Sequence, residues 1–263
     1  MRRQVAAEIV KLRTIWSTWL LFAITAGLVA ALSTVIAFAP RRPRGGGAVI
    51  LAARGTPHWF DSVFSIITIS LDLALVLGIL CVTAEYRHKT ITPTYLAQPR
   101  RGRVVGAKLV SSALGGAVVG VVAGAVALVF GFLVVAGGIG NVGIMLTEYR
   151  HIVPGVLAAA VLYAVYGVGL GALLKNQVVA IVVGLGMTAV VEPIISGVVP
   201  SVGRWLPGEA AQALESVTAN VSRGLAGSVA HLVPWWQGGL ALLGYGIVLA
   251  GTGALTTLRS DVT

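Results

Sequence analysis

Long apolar runs alternate with short polar segments along this chain. Six such runs cover residues 15–39, 59–84, 104–137, 152–174, 178–199 and 235–258. Each reaches the ~20 residues that let a helix cross the hydrocarbon core of a bilayer. The pattern predicts an all-α polytopic membrane protein, one transmembrane domain over residues 1–263 with six spans. Residues 1–15 read differently. Val5, Ile9, Leu12 and Trp16 fall at helical spacing and predict an amphipathic helix lying on the membrane surface. In the long segment 200–234, Pro207-Gly208 opens the run EAAQALESV, which predicts short outer helices before the sixth span.

Punctuation supports these bounds. The stretch from Val104 to Met145 is long for one span and short for two. Gly137, Gly138, Gly140 and Asn141 favour a turn, so a single long third helix ends there. Ala37-Phe38-Ala39 resembles a signal-peptidase site, but the apolar run before it exceeds the ~7–15 residues of a signal core, and Pro40 follows directly. A retained helix is expected. The tetrapeptide EYRH occurs at 85–88 and 148–151 without further match, so it marks no repeat. Gly116, Gly120 and Gly124, and again Gly167 and Gly171, recur at steps of four. Such small-residue faces predict close helix packing within the chain.

Composition agrees: 57% of residues are hydrophobic and only 11% charged, too little charge to cover a soluble domain. The net charge of +10 therefore points to lipid headgroups and cytoplasmic loops rather than nucleic acid. With both termini inside, 12 of the 19 Lys and Arg fall on cytoplasmic segments and 7 outside. The bias favours cytoplasmic termini, although Arg41, Arg42 and Arg44 sit on the disfavoured side. Arg2, Arg3, Lys11 and Arg13, with Trp16, Trp235 and Trp236, are expected to anchor at lipid phosphates and the interface.

No catalytic constellation stands out. His58, His88, His151 and His231 have no metal-ligand spacing, and the single cysteine, Cys81, offers neither a disulfide nor a Cys-based zinc site. No Gly-Lys-Ser or Gly-Lys-Thr occurs, so no ATP site is expected on this chain. Two acids interrupt apolar runs. Asp72 lies mid-span, where an ionised carboxylate costs about 2.5–3.5 kcal/mol. It either lines a substrate path or bonds a Ser or Thr across helices. Glu192 precedes Pro193, which should bend the fifth span and set a carboxylate near an outer mouth.

The most informative stretch is the basic island EYRHKTITPTYLAQPRRGRVVGAK, residues 85–108. Glu85, Thr90, Ile91, Leu96, Ala97, Pro99, Arg100, Arg101 and Lys108 stand in the order and spacing of the ABC-2 type permease family, which this chain resembles. Lys89 replaces the usual Gly and Gln98 a common Thr; the wording is especially similar to actinobacterial members. The resemblance implies a dimer of permeases, identical or not, in the bacterial cytoplasmic membrane, worked by separate cytosolic ATPase subunits that hold the ATP and magnesium. It implies that loop 85–103 is a coupling helix docking on the ATPase, with Glu85, Tyr86, Arg87, His88, Thr90, Pro93, Leu96, Pro99, Arg100 and Arg101 as coupling residues. The amino-terminal helix would touch it too.

The expectation is thus a non-catalytic exporter subunit moving an amphipathic or lipophilic cargo, such as a drug, peptide, lipid or glycan carrier. The alternative is a proton-coupled transporter using Asp72 or Glu192. A third reading is an anchor or sensor that moves nothing.

Overall fold

The computed structural model describes residues 2–38, 53–88, 101–215 and 233–260, and every element among them is helical. In chain order these are α1 (Arg2–Thr14), α2 (Trp16–Phe38), α3 (Pro57–Phe64), α4 (Ser70–Arg87), α5 (Arg101–Ala136), α6 (Val142–Leu174), α7 (Gln177–Gly186), α8 (Glu192–Val198), α9 (Pro200–Gly203), α10 (Pro207–Glu215) and α11 (Trp235–Ser260). A 3-10 segment, Ser65–Ile69, joins α3 to α4, and a π turn, Met187–Val191, joins α7 to α8.

Five helical stretches are long and apolar enough to cross a membrane: Trp16–Phe38, Pro57–Arg87, Val104–Ala136, Val142–Leu174 and Gln177–Val198. They carry large apolar side chains on their outer faces, among them Val121, Phe132, Leu133, Val178 and Val182. A face of that kind suits lipid rather than water. Helix α11, on the sixth expected span, has 26 residues but is not among these five. It opens with Trp235, Trp236 and Gln237 and is interrupted by glycines.

Helix α6 is the hub. It packs against α3, α4, α5, α10 and α11, and glycine is what lets the backbones meet. A side chain at Gly116 would sit 2.5 Å from the Ala160 carbonyl of α6, and one at Gly120 2.9 Å from Leu157. Gly167 and Gly171 in turn admit α4 at Leu75 and Ile79. The steps of four glycines therefore serve packing within the chain.

The turn after α5 falls where expected. Gly138 and Gly140 take positive φ angles of 84° and 78°, a region open to glycine. Asn141 then caps α6 by accepting from the Ile144 amide at 2.9 Å. The fourth span differs from the reading at 152–174. Its helix begins at Val142, because the cap starts it early and the polar quartet Glu148–His151 costs hydropathy but not helix. A π turn, Met187–Val191, stands just before Pro193, where the sequence predicts a bend. Proline crowds the carbonyl four residues back, here Ala189 inside that turn.

The ends of the bundle can be assigned to one another. Arg87 at the end of α4 donates to Gln177 at the start of α7, 3.3 Å apart. Gly253 of α11 packs on Ala172 near the end of α6. Helix α1, the end of α4, the start of α5 and the late part of α11 thus lie at one end. Gly55 meets Gly140 at the opposite end, beside Phe60.

Candidate functional site

Two polar sites stand out, one at each end of the bundle. The first joins α1, α4 and α5. Glu85 Oε1 accepts from both Lys11 and Lys108, each at 2.8 Å. Glu8 completes a square, with Oε1 2.8 Å from Lys11 and Oε2 3.4 Å from Lys108. Lys108 also donates to the Cys81 carbonyl at 2.9 Å. Two acids balance two bases, and Glu8, Glu85 and Lys108 are buried. Pairing of this kind is what makes buried charge tolerable. Burial alone would lower the Lys11 pKa, but Glu8 and Glu85 hold it above its ordinary value, so its ammonium stays charged at physiological pH.

Lys11, expected at lipid phosphate, is engaged by Glu8 and Glu85 and holds α1 to α4, with its side chain still 43% exposed. The face turned to the bundle centres on Glu8, while Ile9 and Trp16 of the expected apolar face are exposed, Trp16 at 76%. Only Leu12 of that set reaches the packed interior, near Gly115. The joint with α2 is fixed by Trp19 Nε1, which donates to the Arg13 carbonyl at 2.9 Å. Glu8 was missed. The available signal was that it is the lone acid among the first 60 residues.

The coupling residues divide. Glu85 is buried in the last turn of α4, Tyr86 is half-buried, and Arg87 and His88 are exposed at its end. Arg101 opens α5. Thr90, Pro93, Leu96, Pro99 and Arg100 lie outside the described residues, as do the three arginines 41, 42 and 44. Arg2 and Arg3 fall on the first turn of α1, and Trp235 and Trp236 are exposed on the first turn of α11.

The second site lies between α4, the α7–α8 joint, α6 and α10. Asp72 accepts from Thr188 Oγ1 at 3.4 Å, a hydrogen bond across helices. Thr188 sits in the π turn that the proline imposes. One helical turn on, Glu192 Oε2 accepts from the Gly208 amide at 2.6 Å and so caps the start of α10. The far end of α10 is held by Glu215, whose Oε2 accepts from Thr68 Oγ1 at 2.8 Å. Gly155 lets this end approach α6, and Gly238 lets α11 approach its middle at Ala210. Helix α10 is thus no surface helix: it is inserted into the bundle. Burial drives the Glu215 carboxyl up to about 8, against the opposing Thr68 hydrogen bond, so it is mostly protonated at neutral pH. Sequence reading missed Glu215, which follows a short alanine-rich run with every appearance of a solvated helix.

Glu192 and Glu215 each keep Oε1 buried without a hydrogen-bond partner. Tyr163 of α6 is buried, its hydroxyl beside Gly208 at the start of α10. Even so, no three His, Cys, Asp or Glu side chains among the described residues are placed to hold a metal ion. The arrangement offers carboxyl oxygens and aromatic rings in a low-dielectric space.

Comparison with known proteins gave no matching family model and no match among curated proteins.

Proposed function

We propose that this chain is the membrane subunit of an ATP-driven exporter of the ABC-2 type, moving an amphipathic or lipophilic cargo across a bacterial cytoplasmic membrane. In this reading α11 is a sixth span, α1 lies in the cytoplasmic interface, and both termini face the cytosol. Two permease copies, identical or not, sit among membrane lipids with two ATPase subunits beneath them. Those subunits dock on loop 85–103.

The observation that carries the reading is the ion square. The basic island leaves the membrane at Glu85 and returns at Lys108, and these two residues bind each other and α1 at one buried point. A force applied to the loop is delivered at once to α4, α5 and α1, and through the glycine seam to α6. A bundle without a nucleotide site of its own needs such a lever. The basic residues also favour this end, with Lys11, Arg13, Arg87, Lys108 and Lys175 on it.

The test is coupling. The Arg100→Glu, Arg101→Glu double variant, with Glu85 left intact because it is structural, should assemble normally. In vesicles holding the partner ATPase it should hydrolyse ATP without moving cargo. Wild-type transport in that variant, or transport by the purified permease alone driven by a pH gradient, contradicts the reading. The second outcome would favour the proton-coupled alternative through Asp72 or Glu192.

A further inference from the structure

An open, largely apolar groove of about 650 Å³ runs between α9 and α11, lined by Trp205, Trp236, Leu240, Tyr245 and Val248. Its size suits a ligand of drug dimensions. Its aromatic wall continues inward. Tyr245 meets the edge of Tyr166 at 6.3 Å between ring centroids, and Tyr166 meets Tyr163 at 6.1 Å. The ladder therefore leads from the groove to the buried acids. Glu192 Oε2 and the Tyr163 hydroxyl both lie beside Gly208.

Among the described residues, no salt bridge reaches the acids at the end of this ladder. Glu192 is 3% exposed, spends one oxygen on the Gly208 amide, and has no donor for the other. Asp72 has only the long bond from Thr188. Neither takes part in a salt bridge among the described residues, whereas at the opposite end every buried acid of the ion square is paired. Arg204 stacks over Trp205, one of the lining residues, at 5.9 Å from its ring centroid.

We propose that groove and acids form one binding site for an amphipathic ammonium compound, its apolar body against Trp205 and Trp236 and its charge toward Glu192 and Asp72. An ammonium there neutralises carboxylates that are otherwise costly at membrane depth. Tyr245, which lines the groove, offers its ring to the same charge. Naming this ligand as cargo rests on the exporter reading; binding itself requires neither ATP nor a partner.

The experiment uses the full chain in lipid nanodiscs and three forms of one fluorophore. These are dansylcadaverine with its free primary ammonium, the neutral N-acetyl form and the anionic N-succinyl form. Energy transfer from tryptophan to dansyl reports binding. The ammonium form should bind at least tenfold tighter than the neutral form, and the anion weakest. Glu192→Gln, which keeps an acceptor for the Gly208 amide, should erase most of that preference, while Trp236→Ala should weaken all three forms alike. Equal affinity of the three forms in the wild-type chain overturns the proposal without recourse to any variant. So does a preference for the anion, which would make Arg204 the determinant, or an unchanged preference in Glu192→Gln. ATP coupling could fail with this ranking intact, or the ranking could fail with coupling intact, so the two proposals fall separately.

Discussion

Lys108 Nζ lies 2.8 Å from Glu85 Oε1 although the two residues stand at opposite ends of the basic loop. Both are buried, so the pair closes the loop at its stem and carries consequences for stability. Removing one partner of a buried pair strands the other charge, at a cost of about 3–5 kcal/mol. Glu85→Gln should therefore lower the thermal midpoint of the detergent-solubilised protein sharply. Adding Lys108→Met to it should cost less than the two changes measured singly. Lys11 is different: its side chain is 43% exposed, and Lys11→Met should cost only about 0–1 kcal/mol. A loss for Glu85→Gln as small as that expected for Lys11→Met would show that the square is a surface feature.

The glycine seam makes the second prediction. A methyl at Gly167 would meet the Leu75 carbonyl, and one at Gly78 the Ala164 carbonyl. Neither backbone can yield without parting α4 from α6. Gly167→Ala should destabilise by about 1–3 kcal/mol. Gly27→Ala, where nothing lies within 4 Å, should be neutral or stabilising by about 0.5–1 kcal/mol, because alanine is the better helix former. Unfolding midpoints of the two variants, measured side by side, check the contrast.

Glu215 supplies a pH dependence. Burial raises its carboxyl from an ordinary 4.5 to about 8 in the fold. Between those values the folded chain holds a proton that the unfolded chain has lost, so stability falls as pH rises. The contribution is most favourable below about 4.5 and the full penalty is reached above about 8. Glu215→Gln should flatten this part of the stability profile. Thr68→Val, which strands Oε2, should lower stability by about 1–3 kcal/mol at high pH. A pH profile identical in wild type and Glu215→Gln would place the carboxyl in water.

Much of the architecture was legible because it follows from local rules. Apolar runs set where α2, α4, α5 and the α7–α8 stretch lie. Gly138 and Gly140 set the turn after α5, Pro193 marks the irregular joint between α7 and α8, and the hydrogen bond from Thr188 to Asp72 was one of two readings of a lone mid-span acid. What escaped depends on tertiary partners. Glu8 reads as an ordinary polar position on an amphipathic helix until Lys108, a hundred residues away, is brought to it. Glu215 reads as the solvated end of a short helix until Gly155 and Gly238 admit α10 into the bundle. The early start of α6 escaped for another reason: hydropathy registers Glu148–His151 as a break, whereas the capped helix runs through it, with Arg150 and His151 exposed and Tyr149 packed against Phe64.

The exporter reading requires that the loop stem face the cytosol. In a Cys81→Ala background, His88→Cys and Arg54→Cys place single thiols at exposed positions on opposite ends of the bundle. A membrane-impermeant maleimide should label Arg54→Cys in intact cells and His88→Cys only in inverted vesicles, with the partner ATPase slowing the second reaction. Labelling of His88→Cys in intact cells would put the basic loop outside, beyond the reach of any cytosolic motor, and would contradict the account.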